Sequence, residues 1–141
     1  MNMKRPYEWI EHTADVGVRV FGDDLKGLFS HAASAFFEII TDLNTIDAKQ
    51  THIIEIEGED LEDLLINWLN ELLFLFETKG LVFKEFEIEE IKKDHLRARI
   101  KGELFDLKKH PLKTCIKAVT YHQLRVEKIK EHWEAQIIFD I

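Results

Sequence analysis

The stretch from Leu61 to Phe76 limits the fold more than any other part of this chain. Leu61, Leu64, Leu65, Trp68, Leu69, Leu72, Leu73, Leu75 and Phe76 recur mostly three or four apart, and Ile66 and Phe74 widen the stripe. Only Asp60, Asp63, Asn67, Asn70 and Glu71 form a narrow polar seam. A helix that is apolar around most of its circumference is ordinarily a core helix, covered on several sides. The chain must therefore place layers of structure around it. Gly58-Glu59-Asp60 opens this helix, which runs to roughly Glu77, and Lys79-Gly80 ends it with glycine just past the last turn. A bilayer span needs about 20 apolar residues, and the longest nearly uncharged apolar run here is shorter.

The rest of the chain supplies the layers. Tyr7 to Ile10 and Gly17 to Phe21 read as short strands, with Val16, Val18 and Val20 alternating against Gly17, Arg19 and Phe21. Gly22-Asp23-Asp24 makes a turn and a helix N-cap. Leu25 to about Ile40 has helical periodicity, with His31 on the side expected to be solvated. Thr41 to Gln50 is polar and reads as a loop, and Thr51 to Glu57 as a strand. Leu81 to Lys92 and His95 to Glu103 form a hairpin about Lys93-Asp94, which sets Glu85, Glu87 and Glu89 against Arg97, Arg99 and Lys101. Leu104 to Thr114 is loop-like, with a turn expected at His110-Pro111. A last hairpin about Lys130-Glu131 would join the strand containing Leu124 and Val126 to the strand Trp133 to Ile141, and would bring Asp140 near Tyr121 and His122. The expected architecture is α+β: two main helices packed with mostly antiparallel strands in layers, as a single domain over residues 1–141.

Composition excludes several functions. Twenty-seven acids against 19 bases give a formal charge of -8, which argues against tight autonomous binding to a polyphosphate, whose affinity rests on clustered Lys and Arg. An acidic surface suits cation capture and approach to a basic partner. The one cysteine, Cys115, cannot close an internal disulfide and is expected to be buried as a small hydrophobe. The start, Met1-Asn2-Met3-Lys4-Arg5, has no apolar segment behind it, so the expected location is the cytoplasm.

Glu11-His12-Thr13-Ala14-Asp15 packs two acids, an imidazole and a hydroxyl between two apolar runs. Burying such groups without partners would cost a few kcal/mol each, so they should face solvent, a ligand or a partner. A hard cation such as calcium or magnesium wants several oxygens. Asp15, Asp140 and Ile141, through its carbonyl or free carboxylate, offer such a set if the fold brings the two ends of the chain together. The plainer alternative is that Asp15 caps a turn and Asp140 merely sits at a strand end. Zinc is disfavoured, because there is a single Cys and no two-histidine helix motif. Lys117, Tyr121 and His122 could supply general acid–base groups, but no nucleophile motif or phosphate loop accompanies them. The reading preferred here is that Tyr121 and His122 support the acidic site through hydrogen bonds.

Tyr7-Glu8 followed by Glu11-His12-Thr13-Ala14-Asp15, then His110-Pro111-Leu112-Lys113, Lys117-Ala118-Val119-Thr120-Tyr121-His122 and finally Ile138-Phe139-Asp140-Ile141 resemble the archease family in order and spacing. The resemblance implies a cytosolic protein cofactor, not itself an enzyme, of the RtcB-type RNA ligase. That ligase joins a 2′,3′-cyclic phosphate or 3′-phosphate end to a 5′-hydroxyl, chiefly in tRNA splicing. Archease-like proteins promote guanylylation of the ligase's active-site histidine, support its multiple turnover and broaden its nucleotide use. The resemblance places metal-site aspartates at Asp15 and Asp140, adds a main-chain oxygen of Ile141, and makes calcium the expected ion, with magnesium or manganese as alternatives. Glu11, His12, Lys117, Tyr121 and His122 then support the site or face the partner, tRNA is met only through the ligase, and no membrane is involved. Two alternatives stay open: a stand-alone metal-dependent phosphate-transfer or hydrolytic enzyme using Lys117 and His122, and a calcium-binding, chaperone-like protein.

Overall fold

The computed structural model describes residues 5–10 and 15–141. Its elements are β1 (Tyr7–Ile10), β2 (Asp15–Gly22), α1 (Leu25–Ile40), a 3-10 turn (Leu43–Thr45), β3 (Gln50–Glu57), α2 (Leu61–Lys79), β4 (Leu81–Lys92), β5 (His95–Leu104), β6 (Ala118–Ile129) and β7 (His132–Asp140). The strands form two antiparallel sheets, ordered β1-β2-β7-β6 and β3-β5-β4.

Both helices begin where a carboxylate meets free amides. Asp24 accepts from the Gly27 N–H and Asp60 from the Asp63 N–H, each satisfying a donor that helix geometry leaves unpaired. α2 extends one turn's fraction beyond the expected end, to Lys79, and stops because Gly80 takes φ 65°, a left-handed conformation that costs a side-chain-bearing residue more. Each helix touches strands of both sheets. The layered core expected around α2 is thus shared with α1, whose Phe29, Ala32, Ala33, Phe36, Phe37 and Ile40 are fully buried. The three alanines Ala32, Ala33 and Ala35 permit this close approach, and Phe36 and Phe37 reach Phe139 and Phe83 edge-on from opposite sides of the core. In α2, Trp68 is buried and its indole N–H donates to the Phe29 carbonyl at 3.0 Å. Phe74, expected in the apolar stripe, is 52% exposed; it falls in line with Asn67 and Asn70 on the seam that faces out.

His31 is not merely solvated. Its Nδ1–H donates to the Phe21 carbonyl at 2.6 Å, tying α1 to the end of β2. Cys115 is exposed rather than buried, because Ile116 next to it takes the inward position. The β4–β5 hairpin turns at Lys93-Asp94 as the charge rows require, but register shifts in β4 push Glu89 out of line. Glu89 then accepts from both Arg97 and Arg99 at 3.1 Å, while Arg97 also reaches Glu55 on β3 at 2.8 Å.

Residues 105–117 cross from one sheet to the other without regular structure beyond a turn. The turn expected at His110-Pro111 is instead an anchor. His110 is fully buried; its Nδ1 accepts the Asp106 N–H and its Nε2–H donates to Glu103 at 2.8 Å. Glu103, only 6% exposed, also accepts from the Asp47 N–H and from Lys109. Burial raises the Glu103 carboxyl's pKa, but the bonds from Lys109, Asp47 and His110 outweigh it and hold the pKa at about 2, against an ordinary 4.5.

Two outcomes follow from this packing. Because the folded-state pKa of Glu103 lies below its unfolded value, its stabilisation is complete above pH 4.5 and is lost as pH falls towards about 2; urea titrations across that window should show a drop in unfolding free energy that Glu103→Gln reduces. Trp68→Phe removes the indole donor and leaves a smaller ring in a fully buried site, while the Phe29 carbonyl keeps its helical bond, and should cost about 1–3 kcal/mol in the same assay.

Candidate functional site

The chain's first long strand and its last strand are hydrogen-bonded neighbours. β7 lies between β2 and β6, and its register sets Asp15 directly opposite Asp140. Directly opposed residues of an antiparallel pair point to the same face, with Cβ atoms about 4.5–5.5 Å apart. That face is the one away from the core: Val16, Val18 and Val20 of β2 and Phe139, Ile137 and Ala135 of β7 pair on the other, and all but the half-buried Val16 are buried. Apolar alternation on both strands fixes this register, since a slip of one residue would turn the apolar row of the slipped strand out to water.

Asp140 is exposed and Asp15 half-buried. The Lys117 N–H donates to the Asp140 carbonyl at 2.7 Å, and Ala118 opposes Asp140 from β6. Ile141 follows at once, and its half-buried side chain packs against the core. Lys117 is exposed. Tyr121 and His122 do not sit opposite Asp140, as the simple hairpin register would place them. The ladder between β6 and β7 shifts between Thr120 and Arg125, where Gln123 takes φ 55°. The extra residues carry Tyr121 towards α2, where its hydroxyl donates to Asp63 at 3.1 Å. That bond, then burial and the neighbouring charges of Asp63, Asp60 and Glu59, raise the phenol's pKa. His122 is exposed, and its N–H donates to Thr120 Oγ1 at 3.3 Å. Thr120 Oγ1–H in turn donates to the Ile138 carbonyl. Glu11 and His12 lie outside the described residues.

Two facing carboxylates are a source of repulsion in a β-ladder, and a cation between them would relieve it. The donors are oxygens, which suits a hard ion rather than a thiolate- or imidazole-seeking one. Among the described residues no group of three His, Cys, Asp or Glu side chains gathers to hold a metal. The remaining ligands would be main-chain oxygens, such as that of Ile141, and water.

The chain matches the model of the Archease protein family over residues 7–141. It is 45% identical to the protein archease of Pyrococcus abyssi, an alignment covering 99% of this chain and all of that one. It is 42% identical to the protein archease of Methanopyrus kandleri, over 96% of this chain and 99% of that one. Among solved structures it is similar to the solution structure of Methanobacterium thermoautotrophicum protein 1598, with a TM-score of 0.79, 33% identity and coverage of 96% and 99%. The fold also matches the crystal structure of an archease from Thermotoga maritima, with a TM-score of 0.63 and 24% identity over 100% and 99% of the two chains.

Facing charges make a prediction that needs no ligand. In ion-free buffer, Asp140→Asn should leave stability unchanged or raise it by about 0.5 kcal/mol, since one repelling charge is gone. A loss above about 1 kcal/mol in chemical denaturation would mean that the carboxylate is already neutralised within the chain.

Proposed function

We propose that this chain, which belongs to the archease family, acts as a protein cofactor of an RtcB-type RNA ligase and is not a catalyst by itself. In this reading it promotes guanylylation of the ligase's histidine, supports repeated turnover and broadens nucleotide use, and it works in the cytoplasm. The observation that carries the reading is the β2–β7 register, which makes neighbours of Asp15 and Asp140 although they come from opposite ends of the sequence. Asp15 and Asp140, with a main-chain oxygen of Ile141, would hold a divalent ion: calcium first, with magnesium or manganese as alternatives. When bound, such an ion neutralises charge developing on nucleotide phosphates.

The chain's own groups do the rest. The Lys117 N–H orients Asp140 through its carbonyl. Lys117 and His122, both exposed, would face the ligase. Tyr121, bonded to Asp63, supports the bulged strand instead of the carboxylates. The charge of -8 favours approach to a basic, RNA-binding protein and disfavours direct grip on tRNA. No helix is long and apolar enough to cross a membrane, among the residues described.

Incubating the ligase with GTP and RNA, with and without this chain, tests the reading. Asp15→Ala and Asp140→Ala should each abolish stimulated guanylylation while the circular dichroism spectrum stays that of the folded protein. Full stimulation by the folded double variant would remove the carboxylates from the mechanism. Turnover by this chain without the ligase would replace the cofactor reading with an enzymatic one. In the absence of any partner, calcium at about 100 times its Kd should stabilise the wild type by about 2.7 kcal/mol and neither Asp variant by as much.

A further inference from the structure

The outward face of the four-stranded sheet is mostly polar, with Phe21 and Ile129 at the end far from the carboxylates and a second apolar group beside the carboxylates themselves. Moving one pair along the ladder from Asp15 and Asp140, about 7 Å away, Gly17 faces Ile138, with Ile10 beyond Gly17 on β1 and Thr120 beyond Ile138 on β6. One pair further on, Arg19 faces Gln136, and Arg19 is ion-paired with Glu8 at the half-exposed surface. Ile138 is only 1% exposed, yet it stands outside the continuous core cluster. Its burial belongs to the outward face. Gly17 is what closes the gap: a Cβ there would lie 3.0 Å from Ile138 Cδ1 and 3.1 Å from Ile10 Cβ. Glycine inside a strand weakens it and marks a place where other groups approach closely, and here the approaching groups are two isoleucines meeting over the bare backbone.

We propose that Ile10, Gly17 and Ile138 form a dry wall that positions and strengthens the Asp15–Asp140 cation site. The inference rests on the cation reading above and adds the residues that set its affinity. Apolar surroundings control solvent access to a metal site and its local dielectric, and charge attraction grows as that dielectric falls. Asp15 and Asp140 would hold the ion, and Gly17 and Ile138, one ladder pair away, would border that site with apolar groups. The wall also fixes the backbone: Ile138 shares its carbonyl bond with Thr120 Oγ1 and is two residues before Asp140. Gly17 stands in the same relation to Asp15 on the neighbouring strand.

The test is calorimetric titration of calcium chloride into the purified full chain at several salt concentrations. Ile138→Thr keeps the branched shape and brings a hydroxyl into the wall; Ile138→Val is the milder variant should threonine impair folding, and Gly17→Ala wedges the two isoleucines apart. Ile138→Thr and Gly17→Ala should weaken calcium binding about tenfold, the lower end of what supporting residues of metal sites contribute, with Ile138→Val weaker by a smaller factor. The Kd of the variants should also depend more steeply on salt, because water admitted beside the carboxylates screens them. A purely packing role would lower the melting temperature and leave the Kd of the folded variants and its salt slope untouched; that result overturns the wall and spares the cation site. Failure of the wild type to bind calcium, magnesium or manganese overturns both.

Discussion

The structure depends on the pairing of β2 with β7. β7 sits inside the four-stranded sheet, so its backbone is bonded on both sides and its valine- and phenylalanine-matched face closes the core against α1. Without that pairing the β1–β2 hairpin and β6 would be separate pieces. Bringing together segments so far apart in sequence has an entropic cost that grows only slowly with loop length, and the buried rows of Val18, Val20, Ile137 and Phe139 offset it. Such non-local pairing slows folding, and it lets residues from both ends of the sequence share one small patch of surface.

The two sheets divide the work. The three-stranded sheet is held outward by an ion-pair mesh centred on Glu89, Arg97 and Arg99, and these half-exposed pairs each contribute modestly. Its link to the other sheet is different. There a buried imidazole and a buried carboxylate hold the crossing segment, and the bonds that His110 and Glu103 make offset their desolvation. That crossing segment ends at Lys117, whose amide meets Asp140. The candidate site therefore stands where a firmly anchored connection joins a central strand.

Much of this was legible in the amino-acid sequence because local rules decide it. Asp24 and Asp60 announce helix starts, Gly80 a helix end, and Lys93-Asp94 and Lys130-Glu131 the hairpin turns, all from nearest-neighbour chemistry. What resisted reading was decided at long range. No local pattern tells that β2 chooses β7, although the equal spacing of Val16, Val18 and Val20 with Ala135, Ile137 and Phe139 makes the two strands compatible. The position of Tyr121 was missed because the strand absorbs extra residues at Gln123, a non-glycine residue at positive φ. His110 looked like a turn residue because Pro111 follows it; its burial comes from Glu103, whose place at the end of β5 is a tertiary fact. Phe74 and Cys115 show the converse, apolar by type and exposed by position. Of the candidate site, the two aspartates were legible from spacing only as a weak signal, and their neighbour Gly17 was read as an ordinary strand residue.

The register shifts described for the two sheets all fall on β4 and β6, each the outermost strand at one end of its sheet. An outer strand offers unpaired amides and carbonyls to any passing chain, and an added residue twists that row out of line. The same irregularities that displace Glu89 and Tyr121 would thus hinder copies of this protein from stitching into fibrils edge to edge, so that colloidal behaviour in concentrated solution is shaped by backbone defects as well as by surface charge.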